Sequence, residues 1–462
     1  MSSVVATAQP PLQFLPQRFS YPVWWTVAQL LPFYIRYGLG LKRVEGVNVE
    51  TLAHYYEQFQ LGKVRLLIAF RHPCTDDPLV MGYLMWHLLP QTARRLGLRL
   101  RPPTTGYFLY DRGIPLWAGK QIGWLFSRLG GISIMRGKLD SQALRSAREL
   151  LLEGQFPLAA APEGATNEHN ELVAPLEPGV AQLGFWCLED LAKAGRSLPV
   201  VILPIGLQYT LIQPSWERMA MLMAQLENRL GCPTNSPSAQ PQELYCRLLN
   251  LAMYLLDRLE TFYATSYRQA FPELPPFDSA NAELAARIQR LLNSALLVAE
   301  SYFGLKPSED FVSRCRRIEQ AAWERMFRSD LAQLSSVERC LANWLAQEAN
   351  VRLRHMRLAE RFTSITGNYV REKFTINRFA DIALILWRTF DWLEGKTPNV
   401  NRLVGLRQVR VSVGEPLNLE SYWSLYRRDR QGARQAVKEV TNQIRQQFEA
   451  LIVPTDSEAE SS

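Results

Sequence analysis

Apolar and polar positions change rhythm twice along the chain. From Val64 to Phe70, "VRLLIAF" is an almost unbroken apolar run, the pattern of a short strand covered on both faces. "DPLVMGYLMWHLLP" follows with helical spacing and is expected to end at Pro90. "TTGYFLYD", "GGISIMRG", "FPLAAAPEG" and "LPVVILPIGLQY" read as further strands, with the helical pattern "DSQALRSARELLLEG" between the second and third of these. Strands alternating with helices indicate an α/β domain, in which sites usually lie at the carboxyl ends of strands.

After about Tyr209 the pattern becomes helical. "SWERMAMLMAQLENRL", "ELYCRLLNLAMYLLDRLETFYATSY", "NAELAARIQRLLNSALLVAESYF", "EDFVSRCRRIEQAAWERMF" and "LAQLSSVERCLANWLAQEANVRLRHMRLAERF" are separated by Pro- and Gly-containing breaks such as "GCPTNSPSAQP" and "FPELPPF". "LRQVRVSVGEPL", Leu406 to Leu417, then alternates like a strand, and a last helix precedes the polar tail "PTDSEAESS". A lone strand is not stable, so the economical arrangement returns it to the first sheet. The expected fold is α/β, a mixed sheet flanked by helices and interrupted by a large all-helical insertion. The expected division is a flexible tail over 1–20, an interfacial amphipathic helical segment over 21–46, an α/β domain from 47–211 plus 401–453, the insertion over 212–400, and a disordered tail over 454–462.

Composition narrows the class. At 462 residues with 47% hydrophobic and 21% charged positions, the chain is long and apolar enough to bury a core. Its six cysteines form no CxxC pair, which reads as buried thiols of a reducing compartment. The first residues lack a cationic segment followed by an apolar one, so a secretory leader is not expected and the cytoplasmic side is. The net charge of +8 points to an anionic partner. Its excess gathers between Arg94 and Arg148, where eleven cationic side chains face only Asp111 and Asp140. No nucleic-acid signature accompanies the run.

"YPVWWTVAQLLPFYIRYGLGLKR" is broken by Gln29, Pro32 and Arg36 and is too interrupted to span a bilayer, which needs about 20 predominantly apolar residues. Trp24, Ala28, Leu31 and Ile35 recur at helical spacing, with aromatics and Lys42 and Arg43 suited to headgroups. The expectation is a helix lying in an anionic membrane surface, and the alternative is a helix packed on the chain's own core.

Chemistry concentrates at "RHPCTDDP", Arg71 to Pro78. An imidazole takes a proton from a hydroxyl near neutral pH, and a carboxylate on its other nitrogen fixes the tautomer, so His72 and Asp77 form a candidate base and partner. No G-x-S-x-G elbow stands nearby, so the alcohol activated would belong to a substrate. Alone, the spacing is equally a helix capped by Asp76 or Asp77. Arg136, past the strand in "GGISIMRG", has the fork geometry for a phosphate, or is a surface arginine. In "APEGATNEHN", Glu163 and Gly164 offer an orienting carboxylate and a close backbone approach, or a tight turn. Pro204 in "VILPIG" shapes a wall or limits pairing.

Taken in order, these stretches resemble the glycerolipid acyltransferase family, which acylates glycerol 3-phosphate or lysophosphatidic acid. The resemblance implies that "HPCTDD" is the H-x4-D block, with His72 as base and Asp77 as its partner. It makes "GGISIMR" similar to the G-x-I-x-I-x-R block with Gly130 and Arg136, and "PEGAT" to the P-E-G-T-R block with Pro162, Glu163 and Gly164. Pro204 falls in the apolar-Pro block, and "VRVSVGEPL" would be the family's closing strand. The implied reaction moves an acyl group from an acyl-CoA or acyl-carrier protein thioester directly onto a lysolipid or glycerol-phosphate hydroxyl in phospholipid synthesis. It uses no cofactor and no metal, and the enzyme works as a peripheral protein on the cytoplasmic side of a membrane.

The third block departs from the family, with Ala165 for threonine and Thr166 for arginine. One phosphate-binding cation is therefore missing. Lys138, Arg112 or His169 would replace it, or the acceptor is a less anionic lipid alcohol. A catalytically silent lipid-binding scaffold that uses its insertion to engage a partner is the reading from a different class.

Overall fold

A computed structural model describes residues 7–135, 140–232, 238–308, 310–363, 368–396 and 403–455. Its α/β part is an eight-stranded mixed sheet of order β1-β7-β6-β2-β5-β3-β4, with β8 against β6. The strands are β1 (Leu41–Val47), β2 (Arg65–Phe70), β3 (Tyr107–Asp111), β4 (Gly131–Ile134), β5 (Leu158–Ala160), β6 (Val200–Leu211), β7 (Arg407–Val413) and β8 (Leu417–Asn418). β6, β2, β5, β3 and β4 run parallel, so the chain leaves β2, β5, β3 and β4 on one side of the sheet.

The apolar run of β2 is buried on both faces, as its pattern required. Leu66, Ile68 and Phe70 join one core with Leu203, Ile205 and Val411, while Leu67 and Ala69 join another with Ile202 and Phe185. The first face is covered by α1 (Tyr21–Phe33), α2 (Val49–Gln60), α3 (Asp77–Tyr83) and α4 (Leu89–Arg95). Two short helices, α5 (Ile114–Ala118) and α6 (Lys120–Arg128), follow β3, and α7 (Ser141–Glu153) and α8 (Gly179–Lys193) line the other face.

Every described element between β6 and β7 is a helix: α9 (Trp216–Leu230), α10 (Pro241–Tyr267), α11 (Ala280–Phe303), α12 (Phe311–Met326), α13 (Ser336–Thr363), α14 (Tyr369–Glu372) and α15 (Ile376–Leu393). They share a core of their own, including Leu251, Leu292, Ile318, Met356 and Ile385. The chain then re-enters the sheet, where β7 pairs antiparallel to β6 and parallel to β1. The alternating stretch near Leu406 thus finds its partners across the intervening helices. After α16 (Trp423–Arg428), α17 (Arg430–Ala450) closes the second face with Val440, Ile444 and Phe448.

Three local expectations come out differently. Leu41–Val47, read as the end of a surface helical segment, is an edge strand. The helix is stopped just before it, where Gly40 takes φ +71°. Lys42 and Arg43 face solvent there, which leaves no period-two apolar signal. Pro90 does not end its helix. A π turn at Leu84–Leu88 opens the ladder where proline offers no N–H, and Pro90 falls in the first turn of α4. Finally, residues 7–20 are a strap rather than a free tail. The Gln9 N–H donates to the Met326 carbonyl (2.8 Å), the Leu15 N–H to Ser133 Oγ (2.9 Å) and the Arg18 N–H to the Ser127 carbonyl (2.8 Å). Among the described residues no helix is long and apolar enough to cross a membrane.

Candidate active site

His72 lies just past the carboxyl end of β2, where a tight turn closed by the Asp77 N–H on the Cys74 carbonyl (3.2 Å) leads into α3. Pro78 suits the first turn of that helix. The turn brings His72 Nδ1 to 2.9 Å from Asp77 Oδ2. With Nδ1 donating to the carboxylate, Nε2 is left as the lone-pair nitrogen. The imidazole side chain is 22% exposed and the Asp77 carboxylate wholly buried.

Asp77 is an acceptor on both oxygens. The Cys74 N–H donates to Oδ2 (2.8 Å), and the Tyr209 hydroxyl donates to Oδ1 (2.5 Å). Burial pushes the Asp77 carboxyl above its ordinary range, and the hydrogen bonds from His72, Tyr209 and the Cys74 N–H oppose it. Burial also holds the Tyr209 phenol far above its ordinary value, so the hydroxyl keeps its proton and donates. The Arg407 guanidinium lies 5.4 Å from the centre of the Tyr209 ring and pairs with Asp76 at 3.0 Å. Cys74 is no nucleophile, since burial pushes its thiol up to about 12.

Glu163 is turned inward. Its carboxylate accepts the His72 N–H (2.8 Å), the Asn167 amide (2.6 Å) and the Ala174 N–H (3.1 Å). The Asn167 N–H in turn donates to the His72 carbonyl at 3.2 Å, so the loop after β5 grips His72 through both its backbone groups. Burial raises the Glu163 carboxyl, opposed chiefly by Arg71. Arg71 itself is buried and donates to the carbonyls of Asn170 (2.8 Å), His169 (3.2 Å) and Leu172 (2.7 Å), tying the same loop to the end of β2. Pro162 precedes the turn, and its carbonyl accepts the Glu177 N–H at 2.7 Å. Gly164 takes φ +71°, and a Cβ there would meet Glu177 Oε1 at 2.5 Å and Arg316 Nη2 at 3.3 Å.

The remaining expected residues separate. Pro204 is buried in β6 opposite Ala69, beside the dyad's strand. Gly130 (φ +97°) turns the chain at the amino end of β4, on the far side of the sheet from His72. Arg136 and Lys138 lie outside the described residues. The two other cations expected to stand in for an arginine at Thr166 are committed elsewhere. Arg112 is a buried partner of Asp140, and burial holds His169 down to about 4, hence neutral at pH 7.

Residues the sequence reading missed come largely from the helical segment. Arg316 on α12 pairs with Glu177 (2.6 Å) beside Gly164, and Arg388 on α15 stands 3.5 Å from Glu168. Asp381 on α15 accepts both the side-chain amide (2.7 Å) and the N–H (3.1 Å) of Asn170, and also the Tyr369 hydroxyl (2.8 Å). A small, open cleft runs beside the dyad turn, lined by Cys74, Tyr209, Asp381, Arg388 and Arg407 among others. Among the described residues no group of three or more His, Cys, Asp or Glu side chains is placed to hold a metal ion.

Neither a scan of protein-family models nor a comparison with curated proteins finds a match to this chain. The likeness to the glycerolipid acyltransferases rests on the motif residues quoted above. What the arrangement supplies chemically is an oriented, partly exposed imidazole whose second nitrogen can take a proton.

Proposed function

We propose that the chain is an O-acyltransferase that moves a fatty acyl group from an acyl-CoA or acyl-carrier protein thioester to the hydroxyl of a glycerolipid acceptor such as lysophosphatidic acid. The observation that carries the reading is the His72–Asp77 contact of 2.9 Å at the carboxyl end of β2, with the imidazole partly exposed and the carboxylate buried. His72 Nε2 takes the acceptor's hydroxyl proton as the oxygen attacks the thioester carbonyl. Asp77 stabilises the imidazolium, and collapse of the tetrahedral adduct breaks the C–S bond and releases the thiol, which takes the proton from His72. A base of this kind contributes roughly 10²–10⁴-fold. The reaction needs no cofactor or metal, because the nucleophile is the acceptor's own oxygen.

In this reading the core is a glycerol-3-phosphate acyltransferase-like α/β domain built from 47–211 and 401–453, with 212–400 as an inserted helical unit. Arg136, on the sequence pattern, would bind an anionic group. The enzyme works as a peripheral protein on the cytoplasmic face of an anionic membrane. The surface of α1 and the π turn Tyr34–Gly38 after it supports this, since Trp25, Leu30, Phe33, Tyr34 and Tyr37 are all more than half exposed beside Arg36, Lys42 and Arg43. Each cation near such a surface contributes about 1 kcal/mol.

A second acceptor class, a less anionic lipid alcohol, is favoured by Thr166 together with the commitment of Arg112 to Asp140 and the neutral burial of His169. The test offers both acyl donors with glycerol 3-phosphate, lysophosphatidic acid and neutral lysolipids, and compares the wild-type chain with His72→Ala. Turnover that disappears in the variant supports the reading, and the preferred acceptor separates the two classes. No turnover on any pairing, or turnover indifferent to His72, overturns it.

A further inference from the structure

We infer that Tyr209 is a positioning residue of the His72–Asp77 pair, and that the helical segment anchors it through Asp381 and Asn170. The geometry is a continuous chain of hydrogen bonds. Asp381 on α15 accepts the Asn170 side-chain amide at 2.7 Å, and Asn170 Oδ1 accepts the Tyr209 N–H at 2.9 Å. The Tyr209 hydroxyl donates to Asp77 Oδ1 at 2.5 Å, and Asp77 Oδ2 meets His72 Nδ1 at 2.9 Å. Each link is buried or partly buried, where a charge-assisted hydrogen bond is strong and an unmade one costly.

Tyr209 cannot turn away. It is 3% exposed, and the Arg407 guanidinium lies against its ring while pairing with Asp76. The reaction proposed above needs Asp77 ionised although the carboxylate has lost all contact with water, and this inference rests on that reading for its catalytic meaning. The groups around Asp77 divide accordingly. His72, the Tyr209 hydroxyl and the Cys74 N–H bond it directly, with Arg71 and Arg407 as nearby cations and Asp76 as the nearby anion. Among the described residues only Tyr209 donates to Oδ1, so without it one buried carboxylate oxygen loses that partner. The helical segment, which the H-x4-D chemistry does not itself require, thereby becomes part of what holds that chemistry in place.

The experiment follows the Asp77 carboxyl carbon by NMR of the full chain labelled at aspartate, assigned with Asp77→Asn, beside the pH profile of acyl transfer. In Tyr209→Phe the carboxyl titration moves to higher pH, because burial is opposed by one donor fewer. The acid limb of the rate profile moves with it, and the rate at neutral pH falls roughly tenfold or more. Replacing Tyr209 with 3-fluorotyrosine keeps the packing and makes a stronger donor, so both midpoints move the other way. That variant decides the matter should Tyr209→Phe not fold. Asn170→Ala, which breaks the link from Asp381 to the Tyr209 N–H without removing a charge, shifts the titration in the same direction as Tyr209→Phe. An Asp77 titration that neither Tyr209 variant displaces overturns the inference. A wild-type chain that transfers nothing defeats the functional reading alone, since the carboxyl titration still reports on Tyr209.

Discussion

Glu163 Oε1 accepts the backbone N–H of His72 at 2.8 Å, so the third motif acts on the first through the main chain. The other oxygen holds Asn167 and Ala174, and Asn167 returns a hydrogen bond to the His72 carbonyl. Glu163 therefore sets where the imidazole starts from. In Glu163→Gln one end of the side chain becomes a donor facing donors. We expect a loss of about 1–3 kcal/mol in stability and a fall in kcat of tenfold or more, with KM changed much less. Urea unfolding and steady-state kinetics check both, and a variant with wild-type kcat would remove Glu163 from this role.

Gly164 makes a sharper test of the same loop. Its φ of +71° is open to glycine and strained for other residues, at roughly 1–2 kcal/mol. A methyl there also meets Glu177 Oε1 at 2.5 Å, a flexible group that can move only by loosening its ion pair with Arg316. Gly164→Ala should lose about that much stability and detach α12 locally. Hydrogen exchange in α12 that rises in the variant, beside unchanged exchange in α10, is the expected signature. Equal protection in both would show that the pair does not tie α12 to the loop.

On α1 and the π turn Tyr34–Gly38 that continues it, Trp24, Ala28, Leu31 and Ile35 are buried, while Trp25, Phe33 and Tyr37 stand 52%, 66% and 65% exposed. The triple change to serine at Trp25, Phe33 and Tyr37 leaves the buried Trp24, Ala28, Leu31 and Ile35 in place and should leave the chain folded, with a cooperative unfolding transition. It should abolish co-sedimentation with phosphatidylglycerol vesicles. Wild-type binding should weaken as salt rises, because cations supply part of it. Retained binding by the triple variant would place the membrane contact elsewhere.

How far these relationships could be read from the sequence depends on their range. The His72–Asp77 contact spans five residues within one turn, so the spacing made the pair a candidate, and only the motif stretches that follow it in order set it above a helix cap. β2 was legible because both faces of the strand are buried, and the stretch at Leu406 because its alternation matches a strand with one face in the core. Tyr209 reaches Asp77 across 132 positions, and Asp381 reaches Asn170 across 211. No periodicity records such pairings, and neighbouring residues do not reveal them. Glu163 and Gly164 were singled out by their place at the end of a strand, yet the inward turn of the carboxylate follows from the donors Asn167 and Ala174, which carry no pattern. β1 was hidden for another reason, since an edge strand with exposed Lys42 and Arg43 has no apolar rhythm to read.

His169 gives a prediction in pH. Its ring is wholly buried, with Nδ1 held on the Asn167 carbonyl at 2.8 Å, and burial lowers its folded-state value to about 4. The unfolded chain takes up this proton as pH falls through about 6.5, whereas the native chain does so only near the lower value. A histidine depressed in this sense contributes stability that is present above the unfolded value and is lost on acidification. At about pH 5 the loss is about 2 kcal/mol for this one group. Asp381, raised to about 6 by burial, acts oppositely, because the folded chain gains its proton first as pH falls. Raw stability against pH therefore mixes signs, and the comparison must be with a variant. Between about pH 7.5 and about pH 5, urea unfolding of the wild type should lose about 2 kcal/mol more than His169→Gln, which still carries Asp381 and His355. Parallel curves would mean that His169 is not held neutral in the loop that Arg71 ties to the dyad.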